Sequence, residues 1–171
     1  MRLLIHRIFL LCSLVSFGYG YCAENVSVSF INTDQFTDAE NARNATDEPL
    51  LGISQYLQSL GRLYLPADQT LKLQVLDVDL AGRERFLGRL NRPVRVVNGK
   101  SDWPQIKISY ILEKNNRILQ RGEEIISDMN YMLHINTFDV NDPLRYEKQM
   151  ILRWFMTRFG QGAGASPGLK E

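Results

Sequence analysis

Apolar residues follow two different rhythms along this chain, and the order in which the rhythms alternate limits the folds open to it. Val26-Ser27-Val28-Ser29-Phe30 alternates apolar with polar, as a half-buried strand does. Residues 32–46, rich in Asn, Asp and Thr, read as a surface loop with room for a helical turn. Leu50, Ile53, Leu57, Leu60 and Tyr64 then recur at three-four spacing and make one face of a helix. Thr46 or Asp47 can cap it, Pro49 suits its first turn, and Pro66 ends it. Alternation returns at Leu71-Lys72-Leu73-Gln74-Val75, but after Val75 the parity flips to Leu76, Val78 and Leu80, as a β-bulge or a crossing between two environments produces. Ile106, Ile108, Tyr110 and Leu112 alternate again, Asn115-Asn116 supplies a tight turn, and Arg117 to Ile126 returns. That loop places Tyr110 opposite Arg121 and Lys107 opposite Glu124.

The last helical rhythm runs through Leu144, Ile151, Leu152, Phe155 and Phe159, widened by Met150 and Trp154. Asp142 is placed to cap it, Pro143 to open it and Gly160 to stop it. Residues 160–171 (GQGAGASPGLKE) read as a flexible tail. The order strand–helix–strand–strand–strand–helix predicts an α+β, two-layer sandwich. It has about four mostly antiparallel strands, both helices lie on one face, and the helical crossover sets the first two strands parallel. Burying each large aliphatic side chain contributes about 1.5–3 kcal/mol, so the two helical faces suffice for a core with no metal or ligand.

The chain begins differently. Arg2 and Arg7 make a cationic start before a ten-residue apolar run, Ile8 to Phe17, followed by Gly18 and Gly20. That run is too short to span a bilayer but suits a secretory signal peptide over residues 1–22, leaving a single domain over 23–159. Cleavage fits after Gly18-Tyr19-Gly20 or Gly20-Tyr21-Cys22. Cys22 stands where a lipoprotein carries its lipidated cysteine, but Tyr19-Gly20-Tyr21 lacks the usual aliphatic and small residues. Cys12 also lies in the leader, so cleavage after Cys22 leaves a chain without cysteine whose stability rests on packing. Asn25-Val26-Ser27 and Asn44-Ala45-Thr46 match the glycosylation sequon, which matters only in a eukaryotic secretory route. The expected location is periplasmic or secreted, with no later membrane-spanning run.

Twenty basic residues against nineteen acidic ones argue against a nucleic-acid partner. Charge is nevertheless concentrated between Ala81 and Lys100. There Arg83, Arg85, Arg89, Arg92, Arg95 and Lys100 face a single acid, Glu84. On an exported protein this segment is the candidate contact for an envelope protein or an anionic envelope component. A solvated loop whose arginines pair with the Asp77/Asp79 side and the acidic early loop explains it as well. Asp77 and Asp79 share a strand face about 6.5–7 Å apart and could hold a hard cation, though such a site takes six or more oxygens. His134 is the one histidine beyond the leader, which excludes a histidine-rich zinc cluster. Gly164-Ala165-Ser166-Pro167-Gly168 spells a nucleophile-elbow pattern, yet it has neither the strand before it nor the helix after it that the chemistry needs. No cofactor, metal or catalytic residue is expected. The alternative is a metal-dependent or Asp/His-based hydrolase, and it requires Asp77, Asp79, Asp128 and His134 to converge on one pocket.

Four blocks carry a family resemblance: Leu76-Asp77-Val78-Asp79-Leu80-Ala81-Gly82, Trp103-Pro104-x-Ile106, Ser127-Asp128-Met129-Asn130-Tyr131 and Asp142-Pro143-Leu144-Arg145-Tyr146-Glu147-Lys148. With Trp154-Phe155 they resemble the secreted bacterial family known as domain of unknown function 3016, over Val26 to Phe159. The resemblance implies a periplasmic or secreted bacterial setting and supplies no activity, cofactor or catalytic residue. The blocks fall at element ends and are dense in hydrogen-bonding side chains. Asp77, Asp79, Asp128, Asn130, Tyr131, Asp142 and Arg145 therefore form a candidate polar cluster, which either knits loops together or lines a pocket.

Overall fold

Each alternating run becomes a strand of one sheet. A computed structural model describes residues 25–38, 48–87, 92–99 and 101–160. The leader, Cys22, the Asn44 sequon, Thr46, Asp47, Arg89, Lys100 and the tail beyond Gly160 lie outside the described residues, as does the side chain of Arg92. The elements are β1 (Val26–Phe30), a 3-10 turn (Thr33–Gln35), α1 (Glu48–Tyr64), β2 (Gln69–Asp79), β3 (Arg83–Leu87), β4 (Arg92–Val96), β5 (Gln105–Lys114), β6 (Arg117–Ser127) and α2 (Arg145–Phe159).

The main sheet has four strands in the order β1-β2-β5-β6, with β1 parallel to β2 and the other pairs antiparallel. The two-layer α+β reading therefore holds. One sheet face carries Leu71, Leu73, Val75, Ile106, Ile108, Tyr110 and Leu112, all buried in one cluster with Ile53 and Leu57 of α1 and Ile151 and Phe155 of α2. Lys72, Gln74, Lys107, Ser109, Ile111 and Glu113 alternate with them onto the other face. The parity flip after Val75 is a real bulge, with the β2–β5 register shifting between Val75 and Asp77. Gly61 brings α1 close to β1: a Cβ there would stand 2.0 Å from Val26 Cγ2.

Three local expectations are corrected. Asn115 and Asn116 do form the tight turn, both at positive φ (49° and 61°), as a type I′ hairpin requires. However, a second bulge between Leu112 and Glu113 inserts Leu119, so Tyr110 faces Gly122 and Lys107 faces Ile125. α2 starts at Arg145 with Leu144 at its N-cap and no side-chain cap. Asp142 instead accepts the Leu144 N–H at 2.9 Å, folding the segment ahead of the helix. The arginine-dense stretch is not wholly loop: β3 and β4 pair antiparallel as a separate two-stranded sheet.

Candidate functional site

Strand alternation divides the arginines of the hairpin. In its register Arg83 faces Val96 and Arg85 faces Val94, whereas Arg95 faces Glu84. Arg83 and Arg85 therefore share one hairpin face, where both are exposed, and Arg95 lies on the other. Arg95 is turned into the molecule. Its Nε donates to the Ala81 carbonyl, its Nη1 to the Pro143 carbonyl at 2.5 Å, and its Nη2 to Glu147 Oε1.

Glu147 is fully buried. Oε1 also accepts the Ala81 N–H at 2.9 Å, and Oε2 has no hydrogen-bond partner among the described residues. The carboxylate sits in the first turn of α2, where the helix dipole favours negative charge. Arg95 and Glu147 thus clamp the end of β2, the hairpin and the start of α2 together.

The remaining blocks join the same knot. Gly82, at φ 83°, donates its N–H to the Asp102 carbonyl at 3.0 Å, and a Cβ there would stand 2.5 Å from the Val96 carbonyl oxygen. The Asp102 carboxylate accepts the N–H groups of Asn98 (2.7 Å) and Gly99 (2.9 Å) and the Tyr131 hydroxyl (3.0 Å). Burial, and then the bond to Asp102, push the Tyr131 hydroxyl up to about 12. The Tyr131 ring meets Tyr146 of α2 edge-on, with centroids 4.7 Å apart. The Asp128 N–H reaches the Pro104 carbonyl at 3.3 Å. The blocks are therefore linked in series: the first to the last through Ala81 and Glu147, the last to the third through Tyr146 and Tyr131, and the third to the second through Asp128 and Pro104.

Within this knot the predicted polar cluster separates into groups. Asp77 accepts from the Thr37 N–H (2.7 Å), the Thr37 hydroxyl (2.8 Å) and the Val78 N–H (2.9 Å). Asp128 is buried, accepts the Asn130 N–H at 3.1 Å and pairs with Arg153 and with His134 Nδ1 at 3.2 Å. His134 Nε2 lies 3.4 Å from Arg153 Nη1. A ring donating from Nδ1 and accepting at Nε2 satisfies both neighbours.

Asp142 holds Lys148 at 2.6 Å. Burial pushes its carboxyl up, but the bonds from Lys148 and the Leu144 N–H outweigh that and hold it below the usual carboxylate range. Arg145 lies over Tyr146, with its guanidinium carbon 5.1 Å from the ring centroid, and its Nε is buried without a partner. Among the described residues no group of three or more His, Cys, Asp or Glu is arranged to hold a metal. Thr37 holds Asp77, whereas Arg153 and His134 hold Asp128.

Asp79 is strained as an anion. Burial, and then the charges of Asp38 and Asp77, raise its carboxyl above the usual range, with Arg83 opposing them. A raised value means Asp79 adds stability only while protonated, and loses it as pH rises through the folded value. Asp79→Asn is accordingly expected to melt higher than the parent at neutral pH, with the gain vanishing below the carboxylate range. An equal or lower melting temperature at neutral pH would contradict this.

The exposed hairpin face borders a cleft of about 390 Å³ lined by Arg83, Arg85, Val96, Asn98, Ser101 and Asp102 among others. A second groove of about 330 Å³ runs between β6 and α2 past Asp128, Arg153 and Arg158. Sequence reasoning missed Arg95 as an internal clamp and overlooked Asp102, Glu147 and Arg153. For Glu147 a signal existed: it lies three and four residues before Met150 and Ile151, a carboxylate in line with the buried stripe of its helix.

The fold and this knot define an α+β domain whose loops are pinned by a polar network at one end of the sheet. The family described as protein of unknown function, DUF3016, matches residues 24–157, and the chain belongs to that family. No curated protein and no solved structure matches the chain. Among the described residues no helix is long and apolar enough to cross a membrane.

Proposed function

We propose that the chain is an exported bacterial envelope protein of non-enzymatic, binding or accessory function, and that its cationic hairpin contacts an anionic component or partner. The observation that carries the reading is the division of the hairpin. Arg95 anchors it from one face through Glu147, while Arg83 and Arg85 stay exposed together beside a cleft. An arm fixed at its base holds its charges in place, so less side-chain and backbone freedom is lost when an anion docks. Val96 and Val97 add apolar wall, and Asn98 and Ser101 add polar groups. The leader-like first 22 residues support export, and the periplasm or exterior is the setting in which the arm would act.

The test is crosslinking of the exported form in cells, comparing the parent with charge reversal at Arg83, Arg85, Arg89 and Arg92. The parent should capture an anionic species that the reversed form loses. Unchanged capture would overturn the reading.

A further inference from the structure

β6 closes the four-stranded sheet on one side, and among the described residues nothing pairs with its outer edge. An open strand edge is a row of unpaired N–H and C=O groups, a template for another strand. This edge is not blunted by proline or by a short length: it runs 11 residues and exposes Ile118 (54%), Leu119 (53%) and Ile125 (65%). Such exposure of aliphatic side chains on an edge calls for a partner, and the sequence of the strand says which one.

From Gln120 onward, Gln120, Gly122, Glu124 and Ile126 point toward the helices and Arg121, Glu123 and Ile125 point to the open face. Gln120 and Glu124 hydrogen-bond Tyr110 there, and Ile126 is buried in the core. Two copies of β6 laid antiparallel about a two-fold axis at Gly122 bring Arg121 opposite Glu123 of the second copy, twice, on the open face. In the same register Gln120 meets Glu124 on the other face. Gly122 meets itself, so no side chains crowd the axis. Shifting by two residues either way keeps the faces aligned but sets Arg121 against Arg121 or Glu123 against Glu123.

Arg121 has no ion-pair partner among the described residues. Glu123 has only Lys107, at 2.9 Å between exposed side chains. The bulge at Leu119 twists the strand and bounds the ladder to residues 120–124.

We infer that the outer edge of β6 is a self-association surface, joining two copies of this chain into a continuous eight-stranded sheet through the register centred on Gly122. Sedimentation of the purified protein over a wide concentration range tests it, with Arg121→Glu and Glu123→Arg alone and mixed. The parent should form a reversible dimer. Each single variant sets like charges opposite each other at both symmetry-related positions and should weaken the dimer about tenfold or more. An equimolar mixture of the two variants should restore it, because each acidic row then meets a basic one.

A parent that is monomeric throughout, a dimer indifferent to both variants, or a mixture no tighter than its components would each overturn the inference. Hydrogen exchange of the parent alone gives an independent reading. Amides within 120–124 should gain protection as concentration rises, and unchanged protection would also overturn it.

Discussion

Glu147→Ala is expected to cost the domain about 3–5 kcal/mol, read as a shift in the urea midpoint at unchanged slope. The carboxylate is fully buried and holds Arg95 and the Ala81 N–H at once. Its removal leaves a largely buried guanidinium with two carbonyl acceptors and no counter-charge, and a backbone donor with none. Arg95→Ala should cost a similar amount from the other side, since it strands a buried carboxylate. Removing both together, as Arg95→Met with Glu147→Leu, should cost much less than the sum of the singles, because neither charge is then left alone. A Glu147→Ala midpoint within about 1 kcal/mol of the parent would mean that water reaches the site and the clamp is not the hinge of the knot. The same variant should also loosen β3–β4, seen as faster amide exchange at Arg83–Leu87 and Arg92–Val96 than in the main sheet.

Phe155→Ala is expected to lose about 3–5 kcal/mol by the same measurement. Phe155 is fully buried, and its ring lies 6.5 Å from that of Tyr64 on α1 and 5.1 Å from that of Phe159. It is where the two helices and the sheet meet, so truncation opens a cavity that no neighbour can fill without moving an element. Against a total stability of about 5–15 kcal/mol for a domain, that loss removes a large share. Leu133→Ala is the matched control. Leu133 is 83% exposed, and its truncation should change stability by under about 0.5 kcal/mol. A Phe155→Ala loss no greater than that of the control would refute the packing argument.

Much of the fold was legible because a residue's periodicity is a local property. Val26 to Phe30, Leu71 to Val75 and Ile106 to Leu112 could be read as strands from alternation alone, and an irregularity after Val75 from its parity. The helix faces of Leu50 to Tyr64 and Ile151 to Phe159 followed from three-four spacing. The parallel pairing of β1 with β2 followed from the helix between them.

What escaped this reading depended on partners far along the chain. The β3–β4 hairpin has little alternation of its own, and its anchor is a glutamate 52 residues beyond Arg95. The bulge at Leu119 leaves no parity flip as clear as that at Val75, so the hairpin pairs were displaced by one residue. The polar cluster was read as a single set because its members lie in recognisable blocks. Their separation depends on which neighbours each carboxylate finds, Thr37 for Asp77 and Arg153 for Asp128.

By itself, then, the sequence determined the α+β class, the two amphipathic helices, the sheet strands and the family. Hydrophobic rhythm encodes these residue by residue, and burial of that rhythm drives the fold. Only the tertiary structure decided which charges are internal and which are presented. A charged side chain looks the same in sequence whether it finds a buried counter-ion or water, and the cost of desolvating it is settled by what folds beside it.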